Sequence, residues 1–231
     1  MAKGLIARGQ FRGKVGADIF RVVDGLQVMQ QYQPVVRNPR TVPQQMQRTA
    51  MRRAGQLVQG LLPVIRKGYA TTYGASEFVK NCVGRNKAIQ VEAPGEASVS
   101  YPALEITNNS AGALLQVGGL LTSTGSGTHL LVNATFYLIN KPSDKEDADI
   151  RVYLAVYAPD LNVCVLSEPS LGSAAAAQVY VPESWDGLTV HAWLFAEYDV
   201  NEPASSAYDQ TTGRRPTKVS AGAYLGSGEV E

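Results

Sequence analysis

The sequence predicts an α+β, mainly β protein: a basic N-terminal arm, a β-hairpin and helices, followed by a C-terminal antiparallel β-sandwich. Three observations predict it. Long-range helical periodicity is confined to residues 38–67. From about residue 87 onward, short β-rich runs follow one another between Gly, Pro, Asn, Asp and Ser. Charge also divides along the chain: residues 1–67 hold twelve Lys or Arg against Asp18 and Asp24, or +10, and the remaining nine cations and eighteen carboxylates give −9. The boundary between the two parts is expected at 86/87, giving a basic region 1–86 and a sandwich domain 87–231.

In the helical stretch, Met46, Ala50, Ala54, Leu57, Val58, Leu61 and Ile65 recur every three or four residues and form one face. Thr41 suits an N-cap, Pro43 the first turn and Gly68 a stop. Gly60 and Pro63 are expected to split the element in two, because an interior proline lacks its N–H and clashes one turn back. The other face carries Gln44, Gln47, Arg48, Arg52, Arg53, Gln56 and Gln59 with no acidic residue, so it asks for a negative or polar neighbour.

Ahead of that stretch, residues 1–17 interleave glycines at 4, 9, 13 and 16 with cations and read as an extended arm. Two β-rich runs flank Asp24-Gly25, the residue pair favoured in a type I′ hairpin turn. A lone hairpin is marginal in water and needs support. Residues 75–83 predict a short helix with Phe78, Val79 and Cys82 on one side. Nine strands are expected at 88–93, 98–107, 113–121, 129–140, 150–158, 161–167, 177–182, 188–200 and 216–226. The alternation of Ile150, Val152, Leu154 and Val156 with Arg151, Tyr153, Ala155 and Tyr157 suits a sheet with one buried face, as does the run Val190 to Glu197.

Chemistry is sparse. Cys82 and Cys164 are too few for a disulfide framework and read as reduced core residues. His129 and His191 fit no metal spacing, no Gly-x-Ser-x-Gly elbow anchors a nucleophile, and the acidic run 143–149 lacks an EF-hand register. The reading is therefore a non-enzyme with no cofactor. No signal peptide and no membrane span is expected, which places synthesis in the cytoplasm. The actionable signal is the cationic set Lys3, Arg8, Arg12, Lys14, Arg48, Arg52 and Arg53, whose spacing can follow a phosphate backbone or anchor to an acidic partner.

Gly13-Lys14-Val15-Gly16, Asn38-Pro39-Arg40-Thr41 with Gln44, Gln45 and Arg48, Gly68-Tyr69, Pro182 to Gly187 with Val190-His191, and Tyr224-Leu225-Gly226 together resemble an uncharacterised domain family of Bacteroidetes and their phages. The resemblance spans nearly the whole chain on short motifs. It implies a basic helical N-terminal part, a C-terminal β-sandwich and a phage setting, and brings no catalytic residues. The expectation is a structural virion protein: capsid-associated, a vertex or spike component, or part of a tail or connector. It would be made in the host bacterial cytoplasm and work as a homo-oligomer among other virion proteins, with packaged nucleic acid as a further partner. One alternative is a nucleic-acid-binding packaging accessory protein. Another is a carbohydrate-binding adhesin module, with Trp185, Trp193, Tyr198 and Tyr224 as its aromatic platform.

Overall fold

The structure, a computed structural model, describes residues 12–23, 26–32, 40–69, 73–85, 88–123, 129–199 and 217–230. It is a mixed α/β protein made mostly of strands, with three α-helices and several sheets among these residues. The chain divides into two compact units, residues 1–41 and 42–231.

The leading unit is one antiparallel sheet in the order β1 (Gly13–Val15), β2 (Asp18–Val23), β3 (Leu26–Gln31). Gly16, at φ +61°, makes the β1–β2 turn, a backbone conformation glycine adopts without strain. The expected hairpin is present in register, with Val23 opposite Leu26, while its Asp24-Gly25 loop lies outside the described residues. The arm was expected to be extended throughout; its last residues instead form β1, because Gly13, Lys14 and Val15 find partners in Phe20, Ile19 and Asp18.

In the second unit, α1 (Val42–Gly60) and α2 (Leu62–Gly68) are the two helical pieces that Gly60 and Pro63 imply. The Gly60 position admits the backbone of Asn162, whose carbonyl oxygen lies 2.8 Å from where a Cβ would stand. α3 (Gly74–Lys80) continues into a π-helical turn at Asn81–Arg85. β4 (Ile89–Ala93) and β5 (Glu96–Val99) make a separate two-stranded sheet, tied to α1 by the Gly95 N–H donating to Thr49 Oγ1 at 3.0 Å.

A larger sheet is centred on β8 (Arg151–Ala158) and β12 (Thr189–Asp199). β9 (Val163–Leu166) and β10 (Ser170–Leu171) share the far edge of β8, and β13 (Thr217–Val219) and β14 (Ala223–Glu229) share that of β12. The third sheet runs β11 (Ala176–Pro182), β7 (His129–Leu138), β6 (Leu115–Ser123).

Period-two alternation sends the side chains of β8 and β12 into two different cores. Val152, Leu154, Val156, Val190, Ala192 and Leu194 join Val132, Phe136, Val179 and Val181 of the three-stranded sheet in one buried cluster. Tyr153, Ala155, Tyr157, Trp193 and Phe195 join Ala54, Leu57, Leu61, Ile65, Phe78 and Cys82 of the helices in the other.

The central strands are buried on both faces, not one, because the helices cover the second face. The amphipathic helices share that core with the strands, and both belong to the compact unit 42–231. The predicted strand 98–107 also ends early, at Val99, where Tyr101–Ala103 form a 3-10 turn around Pro102. The last predicted strand, 216–226, is two, β13 and β14.

Candidate anchoring surface and aromatic cluster

The seven cations singled out in the sequence do not form one group. Lys3 and Arg8 lie outside the described residues. Arg12 and Lys14 are exposed in the leading unit, where the Lys14 ammonium sits 3.5 Å from the centre of the Tyr32 ring. Arg48 and Arg52 stand one turn apart on the exposed side of α1, among Gln44, Gln47, Met51, Gln56 and Gln59. Neither is ion-paired with a described carboxylate. Like charges four residues apart cost a helix a few tenths of a kcal/mol, and an anionic neighbour reverses the sign.

Arg53 behaves differently. Its side chain is half-buried, donates from Nη1 to Gln56 Oε1 at 3.2 Å and hydrogen-bonds Tyr101, while its Nε is buried without a hydrogen-bond partner. It belongs to a cluster that sequence reasoning missed. Tyr101 stacks on His191 with ring centres 3.7 Å apart and 20° between planes, and Trp193 lies 6.5 Å from Tyr101. The Nδ1 of His191 and the Tyr224 hydroxyl are 2.8 Å apart. Tyr157 donates to Asn162 Oδ1 at 2.8 Å, and Asn162 Nδ2 donates to the Gln56 carbonyl of α1 at 3.2 Å. The Trp193 indole N–H, fully buried among these rings, has no acceptor.

Burial governs the electrostatics of the cluster. Desolvation lowers the pKa of His191, keeping the imidazole neutral, and pushes the Tyr157 hydroxyl up to about 12. It raises Tyr101 too, against the pull of the Arg53 guanidinium. The cluster is closed by direct ring contact, so its chemistry is that of a seal on the helix-side core. A signal for it existed: Tyr101-Pro102 marks a turn, and a turn can present a ring to a neighbouring strand.

A second polar group lies further along the same sheet face. The carboxylate of Glu197, 3% exposed, accepts from the Tyr153 hydroxyl at 2.7 Å and from Lys67 of α2 at 2.9 Å. Arg151 Nε lies 3.1 Å from the same oxygen without hydrogen-bond alignment, and Arg151 Nη2 reaches Asp199 at 2.8 Å. Lys67, counted with the basic front of the chain, is thus matched inside its own fold.

The cysteines are free and buried, with thiols pushed up to about 12 by desolvation. The proposed glycan platform is not one: Trp185, Trp193 and Tyr198 are buried and Tyr224 is half-buried. The Asn108 side chain is committed within the fold, with Nδ2 donating to the Tyr69 carbonyl at 3.1 Å and Oδ1 accepting from the Ser110 N–H at 3.2 Å. Among the described residues no group of three or more His, Cys, Asp or Glu is arranged to hold a metal ion, and no helix is long and apolar enough to cross a membrane. Compared with known proteins, the chain matches no family model, no curated protein and no solved structure.

Proposed function

We propose that the chain is a structural protein of a phage particle, capsid-associated or part of a vertex, spike, tail or connector, anchored through its basic leading region. On this reading the two larger sheets act as a rigid β-sandwich body, and the protein is a homo-oligomer in which symmetry multiplies modest contacts. One observation carries the proposal. Among the described residues of the leading unit only Val28 is buried, while Val15, Leu26, Met29 and Tyr32 are 66, 41, 41 and 37% exposed. A three-stranded sheet needs a covered apolar face to persist. This unit also carries seven Lys or Arg against two Asp, so the surface that completes it is apolar and acidic, supplied by a neighbouring protein.

The exposed Arg48 and Arg52 on a helix face without carboxylates favour one second reading, a packaging accessory that holds nucleic acid through phosphate contacts. A mass-spectrometric inventory of purified particles separates the two. The structural reading expects the chain at a fixed, multi-copy ratio to the other particle proteins; its absence from particles rejects that reading.

A further inference from the structure

The sheet of β11, β7 and β6 turns Val132, Ala134, Phe136, Ala177, Val179 and Val181 inward, and the described side chains of its other side are exposed or half-buried. That outer side carries Gln116, Thr135 and Gln178, all exposed, with Asn133 half-buried between them. Tyr137 and Tyr180, 64 and 62% exposed, stand towards its two ends. Asn133 lies opposite Gln178, Thr135 opposite Ala176, and Tyr180 opposite Leu131.

None of the three strands contains Asp, Glu, Lys or Arg, although 18% of the chain is charged and 26 residues (9, 10 and 7) would hold about five by proportion. A solvent-facing sheet side ordinarily carries charge to stay soluble and unpaired. Here exposed phenol rings, amides and a hydroxyl replace it, with the half-buried Leu131 and Ala176 among them. The Asn133 side-chain oxygen, near the middle of the strip, is buried without a hydrogen-bond partner.

Charge complementarity selects an uncharged ligand. Rings that stack and amides that both donate and accept select one rich in hydroxyls with apolar ring faces. Dimensions select an extended one. Six residues of β7 separate Tyr137 from Leu131, the partner of Tyr180, so the two rings stand roughly 20 Å apart along the strand at about 3.4 Å per residue. Three strands about 4.8 Å apart and a ten-residue β7 give a strip of about 480 Å². A stable interface with a second copy needs about 800 Å² per partner, more than this strip offers.

We infer that the outer face of β6, β7 and β11 is a binding site for a neutral, linear oligosaccharide, held by Tyr137 and Tyr180 through ring stacking and by Gln116, Thr135 and Gln178 through hydrogen bonds. Particle membership is neither required by this site nor implied by it. Gly118 lets the two strands approach closely at the β6 bulge: a Cβ there would stand 2.6 Å from Thr135 Oγ1.

The test is calorimetric titration of the full-length chain with neutral β-linked and α-linked glucan, xylan and mannan hexasaccharides. At least one should bind. Tyr137→Ala and Tyr180→Ala should each weaken binding about tenfold, the loss expected for a ring that anchors a ligand. Tyr73→Ala, a 73% exposed tyrosine outside the strip, should change nothing. Binding should hold steady between about 0.05 and 0.5 M salt, since no charge pairs are made. Three results overturn the inference: no binding by any of these probes, binding that survives the double tyrosine variant, or a concentration-dependent self-association that the double variant abolishes.

Discussion

Removing the Glu197 side chain should be the most damaging single change at the junction of α2 and the large sheet. Glu197→Ala strips the Tyr153 hydroxyl of its acceptor at 2.7 Å, and a buried polar group so orphaned costs about 1–3 kcal/mol. The ion pairs add less than their distances suggest, because the Lys67 and Arg151 side chains are 42 and 35% exposed and solvent screens them to about 0.5 kcal/mol each. Arg151 also keeps Asp199. With roughly 1 kcal/mol for the lost methylenes, the total is about 3–5 kcal/mol, or a fall in Tm of about 10 °C for a unit of this size. Glu197→Gln keeps the shape and an acceptor for Tyr153 and loses only the charge, so it should cost about 1–2 kcal/mol. Calorimetric melts of the two variants decide it. Equal losses for Ala and Gln would mean that charge, not the buried hydrogen bond, holds the junction, and a loss under about 1 kcal/mol for Ala would refute the reasoning altogether.

The remaining predictions follow from burial and backbone. His191 has a lowered pKa, so the unfolded chain takes its proton first; stability present above about pH 6.5 is lost as pH falls through the folded value. Urea titrations at stepped pH should show that acid slope, with His191→Phe, which keeps a ring against Tyr101, flattening it. At the alkaline end, the Cys82 and Cys164 thiols and the Tyr157 hydroxyl titrate higher when folded, so their contribution to stability should be constant below about pH 9 and fall above it towards pH 12. A pH-independent melt from 9 to 11 would contradict this. Two glycines should respond with opposite sign. Gly55, exposed inside α1 with nothing near, should gain about 0.5–1 kcal/mol as Ala, whereas Gly68→Ala drives a Cβ into the Ile106 carbonyl and should lose about 1–3 kcal/mol.

How far the sequence spoke depended on whether a signal was local. The α1–α2 break at Gly60 and Pro63, the β2–β3 register about Asp24-Gly25, and the buried stripe Ala50, Ala54, Leu57, Leu61 and Ile65 are all short-range, and all are found. The second buried face of β8 and β12 was harder to see. Tyr153 and Tyr157 are amphipathic side chains that read as solvent-facing, yet they lie under helices contributed from nearly a hundred residues away. Tyr101 and Arg53 were hidden in another way: Tyr101-Pro102 announces a turn, but nothing near either residue places that turn against His191. Glu197 looked like one more polar residue at a strand end, and only the fold brings Lys67 to it across 130 positions.

The account turns on which cations face outward. Arg12, Lys14, Arg48 and Arg52 are exposed and, on the proposed reading, face a partner outside the chain, while Arg53 and Lys67 serve its own interior. Sedimentation velocity of the full-length chain beside the variant carrying Arg12→Glu, Lys14→Glu, Arg48→Glu and Arg52→Glu tests this most directly. The wild type should sediment as a multi-subunit species that dissociates as salt rises, and the variant as a folded monomer with its Tm within about 2 °C of wild type. A wild-type chain that is monomeric at every salt concentration, or a variant that assembles as well as the wild type, would contradict it.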